Sequence, residues 1–322
     1  MKKVKIGLLG FGNVGGGTYK ILTDNREIIQ QRIGASPEIT RILQRNRKKK
    51  RLVEADPALL TEDPDDIIKD PDIDIVVEML GGIEPATSFM VQAMKHGKHV
   101  VSANKAAIAA NYDLLTKTAA ENNVEFLFEA SVAGGIPVLT AITGALASNN
   151  FVEVMGILNG TTNYILTKMT DEGLSYDEVL KDAQAKGFAE ADPTADVEGI
   201  DAANKLSILI ALAFDRYIAP GDIPTTGITA ITAKDIEEAA AQGKKIKLIG
   251  RASVADGKLS YHVKPVLLDI THPLAGVSNE FNAVYITGDM VGELMFYGRG
   301  AGPLPTGSAV CGDILAIMKK RF

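Results

Sequence analysis

Two lysines and a few carboxylates carry the chemistry available to this 322-residue chain. Lys105 follows Ser102-Ala103-Asn104 at the end of an apolar run, His99 to Ser102, that reads as a parallel strand. The carboxyl ends of such strands are where an open α/β sheet binds its ligand, and partial burial there lowers a lysine toward a useful acid/base range. The plain alternative is a solvated lysine at a helix start. Asp201 and Lys205 stand four residues apart at the beginning of a helical pattern, Gly199 to Phe214, and therefore share a face. On the surface such a pair is worth only about 0.3–0.5 kcal/mol. The strongly apolar continuation of the helix supports the other reading, in which its charged end points into a cleft. Both readings stand at this point.

The elements that must position these groups begin at the N-terminus. An apolar strand, Val4 to Leu9, runs into Gly10-Phe11-Gly12-Asn13-Val14-Gly15, three glycines at GxGxxG spacing ahead of an amphipathic helix from Val14 to about Arg32. Gly10 permits the tight turn, Gly12 lets backbone approach a pyrophosphate and Gly15 lets the helix lie against the strand, with the helix N-terminus facing the anion. The bland reading, a glycine-rich turn that binds nothing, fits this context poorly. Further strands are read at Ile39 to Gln44, Ile73 to Glu78, His99 to Ser102 and Val124 to Phe128, with a helix from Ala106 to Glu121. This alternation predicts a doubly wound, Rossmann-type parallel sheet over residues 1–130. Its ligand loops are Gly10 to Gly15, Leu80-Gly81-Gly82 and Ala103-Asn104-Lys105, with Ser102 beside the last. At the end of the second strand, where a carboxylate ordinarily holds the ribose of NAD, stands Gln44-Arg45-Asn46-Arg47-Lys48-Lys49-Lys50-Arg51. Arg45 is placed to accept an adenosine 2′-phosphate, so NADP is favoured with NAD possible, while the outer basic residues read as a solvated loop.

Beyond residue 130 the pattern changes to helices at Ser175 to Lys186, Gly199 to Phe214 and Asp235 to Gln242. Paired strands follow around Ala255-Asp256-Gly257 and Gly288-Asp289. A second, α+β catalytic and dimerisation domain is predicted over 131–302, with the helix from 303 to 322 returning to the first domain. Thirty-four Lys and Arg against 40 Asp and Glu leave a net charge of −6, which disfavours nucleic acid as a partner. The single cysteine, Cys311, excludes an intrachain disulfide and fits a reducing cytoplasm, where its apolar neighbours make it a small hydrophobe. No apolar run predicts a membrane span, and Met1-Lys2-Lys3 opens a strand rather than a signal peptide. His96 and His99 read as surface residues, His262 lies in a strand and His272 in a loop, without zinc-site spacing.

The chain resembles homoserine dehydrogenase over essentially its whole length. The resemblance is carried by the Gly7 to Gly17 loop, Val76 to Gly82, Val101 to Ala106, Phe128 to Pro137, Gly156 to Tyr164, Glu190 to Lys205 and Gly298 to Gly302. It implies reversible reduction of L-aspartate 4-semialdehyde to L-homoserine with NAD(P)H, in threonine and methionine biosynthesis. By the same resemblance Lys105 and Lys205 are the two catalytic lysines, one of them the proton donor, and Glu190 and Asp201 orient the substrate ammonium and the lysine. Asn159, Gly160, Thr161 and Thr162 contribute to the substrate pocket. Glu129 with the carbonyls of Val132, Gly134 and Ile136 forms a structural site for a monovalent cation, usually sodium, and Gly302 with its neighbours closes over the nicotinamide. A homodimer is implied. Many members continue into a C-terminal ACT domain whereas this chain stops at Phe322, so threonine feedback through such a domain is not expected. An acidic residue often follows the arginine of the second strand, and Asn46 stands there instead. The rival readings are a related amino-acid or semialdehyde oxidoreductase and a non-catalytic nucleotide sensor. The sensor predicts a degraded second site, against which Glu190, Asp201, Lys105 and Lys205 all speak.

Overall fold

The structure is a computed structural model, in which residues 2–44 and 51–322 are described. It divides into two units, Met1–Gly135 with Ala301–Phe322, and Ile136–Gly300. These breaks replace the 130/131 and 302/303 boundaries of the sequence reading. The reason is local: the turn Glu129–Ser131 is tied to the C-terminal helix through the Glu129 N–H, which donates to Asp313 Oδ2 at 2.8 Å.

In the first unit β1 (Lys2–Leu9), β2 (Ala35–Leu43), β3 (Leu60–Thr61), β4 (Ile75–Glu78), β5 (His99–Ser102) and β6 (Phe126–Leu127) form one sheet in the order β3-β2-β1-β4-β5-β6. Every pairing is parallel. Strand order reverses between β1 and β4, the topological switch point at which doubly wound sheets bind nucleotides. Ile6, Leu8, Ile75 and Val77 are fully buried, as strands covered on both faces require. The helix Pro303–Arg321 lies along Asn13–Asp24: a Cβ on Gly307 would stand 2.8 Å from the Gly17 carbonyl carbon, and one on Gly17 would overlap the Pro303 carbonyl. Two glycines thus set a helix contact too close for any side chain.

The second unit holds β7 (Phe151–Ile157), β8 (Lys244–Ala255), β9 (Lys258–Asp269), β10 (Phe281–Gly288) and β11 (Gly292–Arg299) in the order β11-β10-β7-β8-β9, antiparallel throughout. Asp256 (φ 51°) and Gly257 (φ 72°) form the two-residue loop between β8 and β9, both left-handed as a type I′ turn demands. The helix Ile200–Phe214 is buried along most of its length.

Several elements depart from the sequence reading. The first helix breaks at Asn25 into Asn13–Asp24 and Arg26–Ile33, and the fifth-strand helix breaks at Asn111 into Lys105–Ala110 and Tyr112–Glu121. Asn111 shows the cause, since its Nδ2 donates to the Ala107 carbonyl and to Thr87 Oγ1, an alternative to continuing the helix. Strand β3, strand β7, and the helices Ala86–Lys95 and Gly160–Glu172 have no counterpart in that reading. His99 is half-buried rather than superficial, because β5 lies between two strands. Its Nδ1 accepts the Glu125 N–H, and burial lowers its pKa. Cys311 is buried and its thiol is pushed up to about 12 by burial, in keeping with a packing role. Among the described residues no helix is long and apolar enough to cross a membrane.

Candidate active site

At the switch point the glycines act in distinct ways. Gly10 has φ 109°, and a Cβ there would meet the Met79 carbonyl oxygen at 2.8 Å. A Cβ on Gly15 would overlap the Gly10 carbonyl, so this residue lets the helix close on the strand. At Gly12 a Cβ would meet nothing within 4 Å, leaving open space beside the backbone. Gly12 caps Asn13–Asp24 without a side-chain hydrogen bond, and the first turn, which includes Asn13 and Val14, holds no acidic residue. This is a cradle suited to a pyrophosphate. Phe11 is buried and meets Tyr19 edge to face at 5.6 Å between ring centres.

Glu78, which sequence reasoning passed over, joins the two neighbouring ligand loops. It ends β4 fully buried, accepting from the Leu80 N–H at 2.7 Å, Ser102 Oγ at 2.6 Å and Asn104 Nδ2 at 3.3 Å. Burial raises its pKa against those donors. Asn104 also donates to the Gly82 carbonyl at 2.7 Å and caps the next helix by accepting the Ala107 N–H. Gly81 and Gly82 turn the first loop in the left-handed region. Lys105, the first residue of the capped helix, is half-buried and so held at the carboxyl end of β5. A lone carboxylate closing the apolar Ile75-Val76-Val77 was the available signal for Glu78.

After β6 the chain turns through Glu129, Ala130 and Ser131, then takes two consecutive left-handed residues, Ala133 (φ 56°) and Gly134 (φ 57°). For alanine this conformation is strained. Glu129 is 5% exposed, and Val132 is fully buried. Burial pushes the neighbouring Asp313 up to about 8, with the Glu129 charge raising it further against the Glu129 N–H bond. Among the described residues no group of three His, Cys, Asp or Glu side chains could hold a metal ion. Ile136 opens the second unit, where its carbonyl accepts the Val138 N–H at 2.9 Å.

In the second unit Lys205, Asp201 and Asn159 meet. Lys205 Nζ lies 2.7 Å from Asp201 Oδ2 and donates to the Leu158 carbonyl at 2.6 Å. The two side chains are 10% and 7% exposed, so the solvated surface pair is set aside in favour of a buried one. Asn159 Nδ2 donates to Asp201 Oδ2 at 3.0 Å and to Asp196 Oδ1 at 2.7 Å, while its Oδ1 accepts the Thr162 N–H at 2.8 Å and caps the helix Gly160–Glu172. Thr161 Oγ1 donates to the Phe188 carbonyl at 2.7 Å, fastening the acidic loop to this turn. Asp196, not singled out from sequence, is raised above the usual carboxylate range by burial, and Asp201 adds to the shift while the Asn159 hydrogen bond opposes it. Gly160 is glycine because a Cβ would stand 2.7 Å from the Glu280 carbonyl.

Glu190 lies exposed on the loop after Phe188, its carbonyl accepting from Gln184 Nε2 at 3.2 Å. Gly302 (φ 123°) caps the helix Pro303–Arg321 in the first unit. Arg45, assigned to the 2′-phosphate, lies outside the described residues.

A family model described as the NAD binding domain of homoserine dehydrogenase matches residues 10–129, and one described as homoserine dehydrogenase matches 137–315. Homoserine dehydrogenase of Bacillus subtilis (strain 168) is 46% identical over 319 residues, covering 99% of this chain and 74% of that protein. The crystal structure of a homoserine dehydrogenase from Thiobacillus denitrificans superposes with a TM-score of 0.96 at 44% identity, covering 99% of this chain and 74% of that one. A hyperthermophilic archaeal homoserine dehydrogenase in complex with NADPH gives 0.80 at 26% identity, covering 99% and 98%. With a matching model over each of its two halves and relatives this similar along nearly its entire length, the chain belongs to the homoserine dehydrogenase family.

Proposed function

We propose that the chain interconverts L-homoserine and L-aspartate 4-semialdehyde, with Lys205 as the proton donor and NADP(H) preferred over NAD(H). The observation that carries the reading is the buried Lys205, Asp201 and Asn159 cluster at the mouth of the helix Gly160–Glu172. Gly10, Gly12, Gly15, Leu80, Gly81 and Ser102 would hold a nicotinamide nucleotide, which would supply or accept the hydride at the substrate carbon. Reduction of the aldehyde creates a developing alkoxide. An ammonium held beside it by Asp201 and the Leu158 carbonyl stabilises that charge and delivers the proton, an effect typically worth about 10²–10⁴ in rate. Running in reverse, the same amine takes the hydroxyl proton of homoserine.

Asp201 fixes the lysine; Asn159 bridges Asp201 and Asp196 through its amide nitrogen while its oxygen orders the turn through Thr162. Thr161 and Gly160 complete that turn, and Glu190 supplies a carboxylate for the substrate ammonium. Lys105 is the second lysine, at the nucleotide side, and Gly302 serves the nicotinamide end. Arg45 receives the 2′-phosphate; the NADPH complex of the archaeal relative favours the same cofactor. Glu129 with the carbonyls of Val132, Gly134 and Ile136 would hold a hard monovalent cation such as sodium, an oxygen-donor set of the kind such ions take. A homodimer is supported by Met295 and Tyr297, exposed on the edge strand β11, and by Leu267 on the opposite edge strand β9. The test is NADPH formation from L-homoserine and NADP⁺, compared with L-aspartate and lactate. Turnover of homoserine alone is the expected result, and a preference for another alcohol overturns the substrate.

A further inference from the structure

Asn282, second residue of β10, is 1% exposed, and among the described residues neither its amide nitrogen nor its amide oxygen has a hydrogen-bond partner. Buried amides are rarely left so, because each orphaned group has given up water for nothing. An apolar residue of similar shape, such as leucine, would remove both orphans at once. That asparagine stands here instead points to a state in which the amide is used.

Its neighbours say which state. A Cβ on Gly300 would overlap the amide head of Asn282, so glycine alone lets the end of β11 pass this close. A Cβ on Gly160, the first residue of the substrate-turn helix, would stand 3.6 Å from Asn282 Oδ1. In register Asn282 pairs with Gly298, and the next residue, Ala283, pairs with Ile157. The start of β10 therefore runs beside Leu158, whose carbonyl holds Lys205. One unsatisfied amide is wedged between the turn proposed to take the substrate and the glycine end of the edge strand.

We propose that Asn282 is a positioning residue for homoserine: when substrate occupies the Asn159–Thr162 turn, its amide closes hydrogen bonds to the backbone of Gly160 and Gly300 and fixes the turn. The proposal rests on the homoserine reading above, and wild-type turnover of homoserine tests that reading separately. The experiment compares wild type with Asn282→Leu. The variant is expected to keep or raise Tm, to raise KM for homoserine about tenfold, the worth of roughly one net hydrogen bond, and to leave kcat and NADPH affinity near wild type. Hydrogen exchange of the wild type with NADP⁺ is expected to slow at Gly160 and Gly300 when homoserine is added. An Asn282→Leu protein with unchanged KM overturns the proposal, as does a lowered Tm, which marks the amide as structural. If the variant does not fold, exchange at Gly160 and Gly300 decides: unchanged rates on adding homoserine overturn it and slowed rates support it.

Discussion

Asp201 and Lys205 stand one helical turn apart with Oδ2 and Nζ at 2.7 Å, out of solvent, so the lysine is paired with a carboxylate that is itself held by Asn159. Replacing one member leaves the other buried alone, which costs about 3–5 kcal/mol. Lys205→Ala is therefore expected to lower Tm and, where circular dichroism shows the protein folded, to reduce kcat by about 10²–10⁴. NADPH affinity, measured by fluorescence titration, stays near wild type. Wild-type turnover in the variant removes Lys205 from the mechanism.

Arg45→Ala separates the two nucleotides. Losing a charge-assisted bond to a phosphate is worth about 10–100-fold, so kcat/KM for NADPH falls by that factor while the value for NADH holds. An unchanged ratio of the two would remove the 2′-phosphate from Arg45.

Gly12 and Gly15 predict opposite phenotypes. Gly12→Ala adds a methyl group to open space, so Tm is retained while nucleotide Kd rises about tenfold or more. Gly15→Ala drives a methyl group into the Gly10 carbonyl and destabilises the fold by about 1–3 kcal/mol. Thermal melts with and without NADPH distinguish them; a stable, tightly binding Gly12→Ala protein contradicts the cradle.

Lys247 supplies a pH test in the second unit. It is 3% exposed, donates to the Val277 carbonyl at 2.6 Å and to Asn163 Oδ1 at 3.0 Å, and burial lowers it to about 8. Between that value and the ordinary 10.5 the unfolded chain binds the extra proton, so this group makes stability rise with pH in that window. Wild-type unfolding free energy is expected to gain on Lys247→Met by about 1.4 kcal/mol per pH unit there. Parallel pH profiles for the two proteins would show that Lys247 titrates normally.

Sodium offers a readout apart from activity. Added NaCl, against choline chloride at matched ionic strength, is expected to raise Tm for the wild type and not for Glu129→Gln, as mass action on a folded-state site requires. Equal responses in the two salts discard the cation assignment.

The parallel sheet was legible because β1, β4 and β5 each carry a short apolar stretch closed by glycine or a polar turn, and the hairpin at Asp256-Gly257 because its turn type demands those residues. The two-residue strand β3 carries no periodicity to read. The helix breaks at Asn25 and Asn111 depend on side chains competing with backbone, which a hydrophobic pattern does not record. Spacing put Asp201 and Lys205 on one face. Only packing revealed that the face is buried and that the carbonyl of Leu158, a backbone atom with no sequence signature, completes the lysine's setting. Glu78 and Asn282 were missed for the same reason: their importance lies in what surrounds them.

The nucleotide unit is assembled from both ends of the chain, with the segment from Ile136 to Gly300 inserted as a continuous whole. A ribosome therefore releases every residue of the second unit before the helix carrying Val310, Ile314 and Ile317 emerges to cover the first. Until then the sheet has one apolar flank bare, the hazard of any split module during synthesis. Released chains truncated at Gly300 should accordingly recruit holdase chaperones to the N-terminal portion while the later-made unit already resists protease.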